Sequence, residues 1–133
     1  MRRFHSLLIG SGLLLLSALP AWAHAFPYKT APRVGWTVTT MPKQVTIWYT
    51  MSVQSGLSRI TVKSASGQEV SVGSSHVGGS DHTILMERLK PLAPGPYQVS
   101  WHVLAEDGHP TQGHFSFTFL APSNRALGNA ASR

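Results

Sequence analysis

Two stretches of strict alternation constrain this chain more than any other feature. Phe115, Phe117 and Phe119 are separated by Ser116 and Thr118; Tyr97, Val99, Trp101 and Val103 are separated by Gln98, Ser100 and His102. In an extended strand successive side chains point to opposite faces. Each stretch therefore has one apolar and one polar face, the pattern of a half-buried sheet rather than of a helix. Burying each large side chain is worth about 1.5–3 kcal/mol before the entropy cost, so these rows are expected to be core and not a substrate-binding stripe.

The rest of the chain follows the same scheme. Short segments rich in Val, Ile, Thr and aromatics alternate with Gly, Pro and Ser, which reads as all-β. The expected strands are Val34–Thr39, Val45–Thr50, Ser58–Lys63, Glu69–Val72, His82–Glu87, Tyr97–Leu104 and His114–Leu120. Ala65-Ser66-Gly67 is a turn, Gly73–Ser80 a glycine- and serine-rich loop, and Trp36 and Trp48 are assigned to the core. No long 3.6-residue apolar period occurs, so little helix is expected. About seven short strands make a β-sandwich or Greek-key β-barrel.

Residues 1–23 read as a secretory signal. Arg2 and Arg3 give a positive start, Leu7 to Leu19 a short apolar run, and Ala21-Trp22-Ala23 a small-x-small cleavage site. The run is well short of the roughly 20 residues that span a bilayer, and no other stretch approaches that length. Three regions are expected: a cleaved signal at 1–23, one β domain at 24–120, and a flexible tail at 121–133. Of the eleven Lys and Arg, Arg2 and Arg3 leave with the signal; nine remain against five Asp and Glu, a net +4. The cations form no run interleaved with aromatics, which argues against nucleic acid. There is no cysteine, so neither a disulfide nor a thiolate ligand is available.

Cleavage after Ala23 makes His24 the first residue. An N-terminal histidine offers its free α-amine and imidazole Nδ1 to one metal ion as a chelate. The sharpest internal motif is Glu106-Asp107-Gly108-His109-Pro110, between the two alternating strands. In extended backbone Asp107 and His109 project to the same side, about 6.6 Å apart. Amine, His24 Nδ1, a His109 nitrogen and an Asp107 oxygen form a mixed N,O set that favours tetragonal Cu(II); Zn(II) accepts the same residues but prefers a tetrahedron. Amine and imidazoles must be neutral to bind, so affinity should weaken as pH falls through about 8 to 6. His114 is placed to orient a ligand. His76 and His82, with Asp81, flank the glycine loop as a weaker second metal position, and His102 lies opposite the core face of its strand.

These residues resemble the CopC/PcoC family of periplasmic copper-resistance proteins. The resemblance runs from His24-Ala25-Phe26, through Ala31-Pro32 with Gly35 and Pro42-Lys43-Gln44-Val45-Thr46-Ile47, to Pro96-Tyr97-Gln98-Val99-Ser100-Trp101-His102-Val103. It continues into Asp107-Gly108-His109-Pro110, Gly113 and Phe115-Ser116-Phe117. It implies a cupredoxin-like, immunoglobulin-like Greek-key barrel that binds and carries copper in the periplasm, with Cu(II) ligands at His24 (including its amine), Asp107 and His109. The implied partners are the copper ion and an inner-membrane copper transporter of the CopD type or another periplasmic copper binder. Some relatives hold Cu(I) in a methionine-rich loop; here Met41, Met51 and Met86 are scattered, and Thr50-Met51-Ser52 stands where relatives carry a Ser-Glu-Pro-like stretch. The competing readings are a histidine-brace copper monooxygenase, for which the chain is short and the carboxylate out of place, and a metal-free immunoglobulin-like interaction domain.

Overall fold

The computed structural model describes residues 24–122. The expected signal at 1–23 and residues 123–133 of the expected tail lie outside the described residues. The described chain forms eight strands: β1 (Pro27–Ala31), β2 (Thr37–Val38), β3 (Gln44–Tyr49), β4 (Arg59–Ser64), β5 (Ser71–Gly78), β6 (Ile84–Leu89), β7 (Gly95–Leu104) and β8 (Pro110–Phe119). They make two four-stranded sheets, ordered β1-β3-β6-β5 and β2-β8-β7-β4. All pairs are antiparallel except β2 with β8. This is the all-β Greek-key sandwich expected, with one strand more than the seven anticipated.

The two alternating rows become the β7–β8 ladder. Tyr97, Val99, Val103, Phe115, Phe117 and Phe119 are buried between the sheets, facing Val45, Ile47, Tyr49 and Leu85 of the other layer. Tyr97 stacks on Phe117 at 5.5 Å, and Trp101 meets Tyr49 edge-on at 5.7 Å. Gly113, opposite Trp101, is glycine for a steric reason: a Cβ there would lie 2.6 Å from Trp101 Cζ2.

Three expectations need correction. Most of the segment 73–80 is not a loop, because β5 continues to Gly78 and only Gly79 and Ser80 lie in the turn that follows. Its serines substitute for a strand partner: Ser75 Oγ accepts the Ile60 N–H at 2.8 Å and Ser71 Oγ the Val62 N–H at 3.2 Å. Hydroxyls thus join edge strand β5 of one sheet to edge strand β4 of the other, and that seam satisfies backbone donors that propensity alone leaves open. Strand Val34–Thr39 shrinks to Thr37–Val38, and Trp36 is 55% exposed rather than core. Residues 33–36 instead form a turn closed by the Trp36 N–H to the Arg33 carbonyl. Strand β1 was not anticipated, since Pro27-Tyr28-Lys29-Thr30-Ala31 has no clean alternation; a register irregularity between Pro27 and Lys29 breaks it.

Ser75 also donates to Oε2 of Glu87, a carboxylate 1% exposed whose Oε1 has no protein partner. Burial likewise pushes the Tyr49 phenol far above its ordinary pKa. Removing the Ser75 hydroxyl strands both the Ile60 N–H and the Glu87 carboxylate. Ser75→Ala is expected to lower unfolding free energy in urea by about 2–3 kcal/mol, whereas exposed Ser74→Ala should stay within about 0.5 kcal/mol. Equal effects of the two substitutions would contradict the seam.

Candidate metal centre

The β7–β8 connection is built to present side chains. Leu104 pairs with Pro110, leaving five residues, Ala105 to His109, to reverse the chain. Ala105 is fully buried and pins the turn: its N–H donates to the His109 carbonyl at 3.0 Å, and its own carbonyl accepts the Gly108 N–H at 2.9 Å. Gly108 has φ +87°, a left-handed conformation that favours glycine. The segment 52–54 braces the turn from outside. Glu106 N–H donates to the Ser52 carbonyl, and Gln54 donates from its backbone to Leu104 and from Nε2 to the Ala105 carbonyl.

This turn brings Asp107 and His109 into direct contact. Asp107 Oδ1 accepts the His109 N–H at 3.1 Å, an Asx turn. Asp107 Oδ2 lies 3.1 Å from His109 Nδ1. The His109 N–H, more than any other group, holds the Asp107 carboxyl below its ordinary pKa; the His109 and His24 side chains add to the effect. Asp107 is therefore an anion at neutral pH, an oxygen donor that needs no deprotonation.

His24 reaches this turn from the other end of the chain. Its ring centroid is 4.8 Å from that of His109. The following residue, Ala25, is fully buried, and its carbonyl accepts the Thr111 hydroxyl at 2.7 Å. Thr50 holds the other side: its Oγ1 accepts the Phe26 N–H at 3.1 Å and contacts the His24 carbonyl at 3.4 Å, while its N–H donates to the Phe26 carbonyl. Reading the sequence missed Ala25, Thr50 and Thr111 as positioning residues. The available signal was Thr111, two residues beyond His109 on the inward-facing parity of β8.

His24, Asp107 and His109 are thus gathered at one end of the sandwich, and all three are exposed. Among the described residues, no three or more His, Asp or Glu side chains converge as they stand on a point that would hold an ion. The His109 imidazole is turned into its bond with Asp107. Exposed rings change rotamer readily, and the donor types fit a borderline divalent cation: imidazole, imidazole and carboxylate, with an amine once His24 is N-terminal.

The other histidines lie elsewhere. His114 is on the outer face of β8, about 17 Å along the chain from His109; it lines a shallow depression with Arg59, Ser100, His102 and Gln112. His82 Nδ1 is 3.6 Å from Glu106 Oε1, whereas His76 pairs with Met86 within the β5–β6 ladder, so the two do not share a position. Met41 Sδ accepts the Leu92 N–H at 3.2 Å, and Met51 packs partly buried against the core.

Residues 28–120 match the family model described as the CopC domain. Protein YobA of Escherichia coli K12 is 31% identical over 98 residues, covering 73% of this chain and 79% of that protein. Among solved structures, CopC from Methylosinus trichosporium OB3b superposes with a TM-score of 0.71 at 28% identity, over 76% of this chain and 98% of its own. PcoC, a methionine-rich copper resistance protein from Escherichia coli, superposes with a TM-score of 0.62 at 22% identity, over 74% and 100%, a likeness of fold.

If Thr111 sets the approach of the N-terminal segment, Thr111→Val should cost about 1–2 kcal/mol by leaving the buried Ala25 carbonyl unpaired. It should also abolish the nuclear Overhauser contact between the His24 and His109 rings. A retained ring contact would show that Thr50 and Ala25 suffice.

Proposed function

The chain belongs to the CopC family, and because its structural relative PcoC is a copper resistance protein, we propose that it binds Cu(II) outside the cytoplasm and carries or buffers it, without catalysing a reaction. The observation that supports this most directly is the meeting of the His24 and His109 rings at 4.8 Å, with the Asp107 carboxylate 3.1 Å from His109. These residues come from opposite ends of the domain, and the core has no need of them.

In this proposal residues 1–23 are an export signal removed before His24, residues 24–120 are the copper-binding domain, and 121–133 are a tail. The donors are the His24 amine and imidazole, a His109 nitrogen and an Asp107 oxygen. Three nitrogens and one anionic oxygen suit tetragonal Cu(II), the tightest binder of the divalent series. Exposure of the site serves a carrier: an acceptor can approach the ion and replace its ligands one at a time. That acceptor is a membrane copper transporter of the CopD type or another periplasmic copper binder. In the peptide amide that links Ala23 to His24 the nitrogen lone pair is delocalised into the carbonyl and is a poor donor, so export and competence for binding are coupled through one bond.

The test is Cu(II) binding by the protein beginning at His24. One equivalent should bind, with an electron paramagnetic resonance spectrum of tetragonal type and nitrogen coupling. His109→Ala should weaken binding by about a hundredfold, and Asp107→Asn by about tenfold, on the scale at which losing a ligand or its partner acts. Unchanged affinity in His109→Ala would remove the assignment.

A further inference from the structure

Along one edge the molecule exposes apolar side chains that its core does not use. Tyr28, Val34 and Trp36 are 65%, 60% and 55% exposed. They belong to β1 and to the turn leading into β2, each the outermost strand of its sheet. The seam between β4 and β5 is joined by serine hydroxyls; this segment lies at the opposite edges of the two sheets. Residues 33 to 36 are exposed without exception.

Cations are interleaved with these rings. The Arg33 guanidinium lies 4.6 Å from the Trp36 ring and Lys29 Nζ 4.4 Å from the Trp48 ring. Tyr28, Lys29, Arg33 and Val34 line one shallow depression. The charge is one-sided along the sequence, since no Asp or Glu occurs before Glu69. Glu69 itself is taken by Arg59, at 3.5 Å. Lys29 and Arg33 thus stand in a segment with no acid of its own.

We propose that this edge docks on a lipid bilayer carrying anionic headgroups. Val34 and the Trp36 ring enter the interfacial layer, and Arg33 and Lys29 remain at headgroup level on the phosphates. An amphipathic ring flanked by a cation matches the composition of that layer, apolar below and charged above. An acidic protein would neutralise the same cations, but Val34 and Trp36 on an exposed turn also need an apolar phase to enter, which the acyl boundary supplies. The inserted turn runs alongside Ser116 and Thr118, about 23 Å or more along β8 from His109, so docking leaves the candidate metal centre away from the inserted residues. The proposal does not depend on which metal is bound.

The experiment is co-sedimentation of the metal-free protein beginning at His24 with phosphatidylcholine vesicles, with and without phosphatidylglycerol. Sedimentation is expected with the anionic vesicles only, decreasing as salt rises. Arg33→Glu and Trp36→Ser should each weaken it by about tenfold or more, while Lys63→Glu, the same charge change on β4 of the other sheet, should have a much smaller effect. All three residues are exposed, and unchanged thermal unfolding will confirm that the variants fold. Three results would overturn the proposal: no sedimentation with anionic vesicles; an equal loss in Lys63→Glu, which marks attraction by net charge alone; or tight retention by soluble polyglutamate that survives Trp36→Ser, which assigns the edge to an acidic protein.

Discussion

Ten consecutive antiparallel pairs between β7 and β8 set the position of everything else in this molecule. Their register turns Tyr97, Val99, Val103, Phe115, Phe117 and Phe119 inward together. A slip of one residue would turn that entire set to solvent and replace it with Gln98, Ser100, His114 and Ser116. The same register fixes where the hairpin reverses. With Leu104 opposite Pro110, the five intervening residues have little choice but a tight turn, and Gly108 in the left-handed region lets Asp107 fold back onto His109. Core packing and candidate chemistry are therefore specified by one ladder.

That ladder supplies only half of the candidate centre. The other half arrives because Ala25 is small enough to be buried completely, and because Thr111 and Thr50 hold the backbone on either side of it. The arrangement separates two tasks. Ala25, Thr50 and Thr111 tie the backbone with hydrogen bonds and burial, while His24, Asp107 and His109 remain exposed and able to rotate. Rigid support beneath exposed donors suits the carrier role proposed above: enough order to gather ligands, and enough freedom to surrender the ion. A closed, fully packed cage would hold metal but release it slowly.

Much of this was legible in the chain because period-two alternation is a local signal. Phe115, Phe117 and Phe119 declare their strand without knowledge of any partner, and Asp107-Gly108-His109 declares a turn. What was not legible depends on distant parts of the chain. Ser75 reads as a loop residue because it sits among Gly and Ser; it is a strand residue whose hydroxyl, like that of Ser71, serves a backbone donor on β4. Trp36 reads as core by hydropathy, yet it sits on a turn. The contact between Asp107 and His109 was not foreseen in its form, because extended geometry was assumed where an Asx turn forms. Thr50 belonged to no motif that marks a site, and Thr111 offered only its inward parity two residues beyond His109; their roles follow from the tertiary path of residues 24–26.

In the proposed function Cu(II) is held by a chelate that exists only when His24 begins the chain. Its most direct test compares Cu(II) affinity of the protein beginning at His24 with that of a form carrying one additional glycine ahead of it. Fold, imidazoles and Asp107 are the same in both; only the amine moves away from its own ring. Affinity is expected to be lower by about a hundredfold or more in the extended form, the scale on which losing a tethered second donor acts. Equal affinity in the two forms would contradict it.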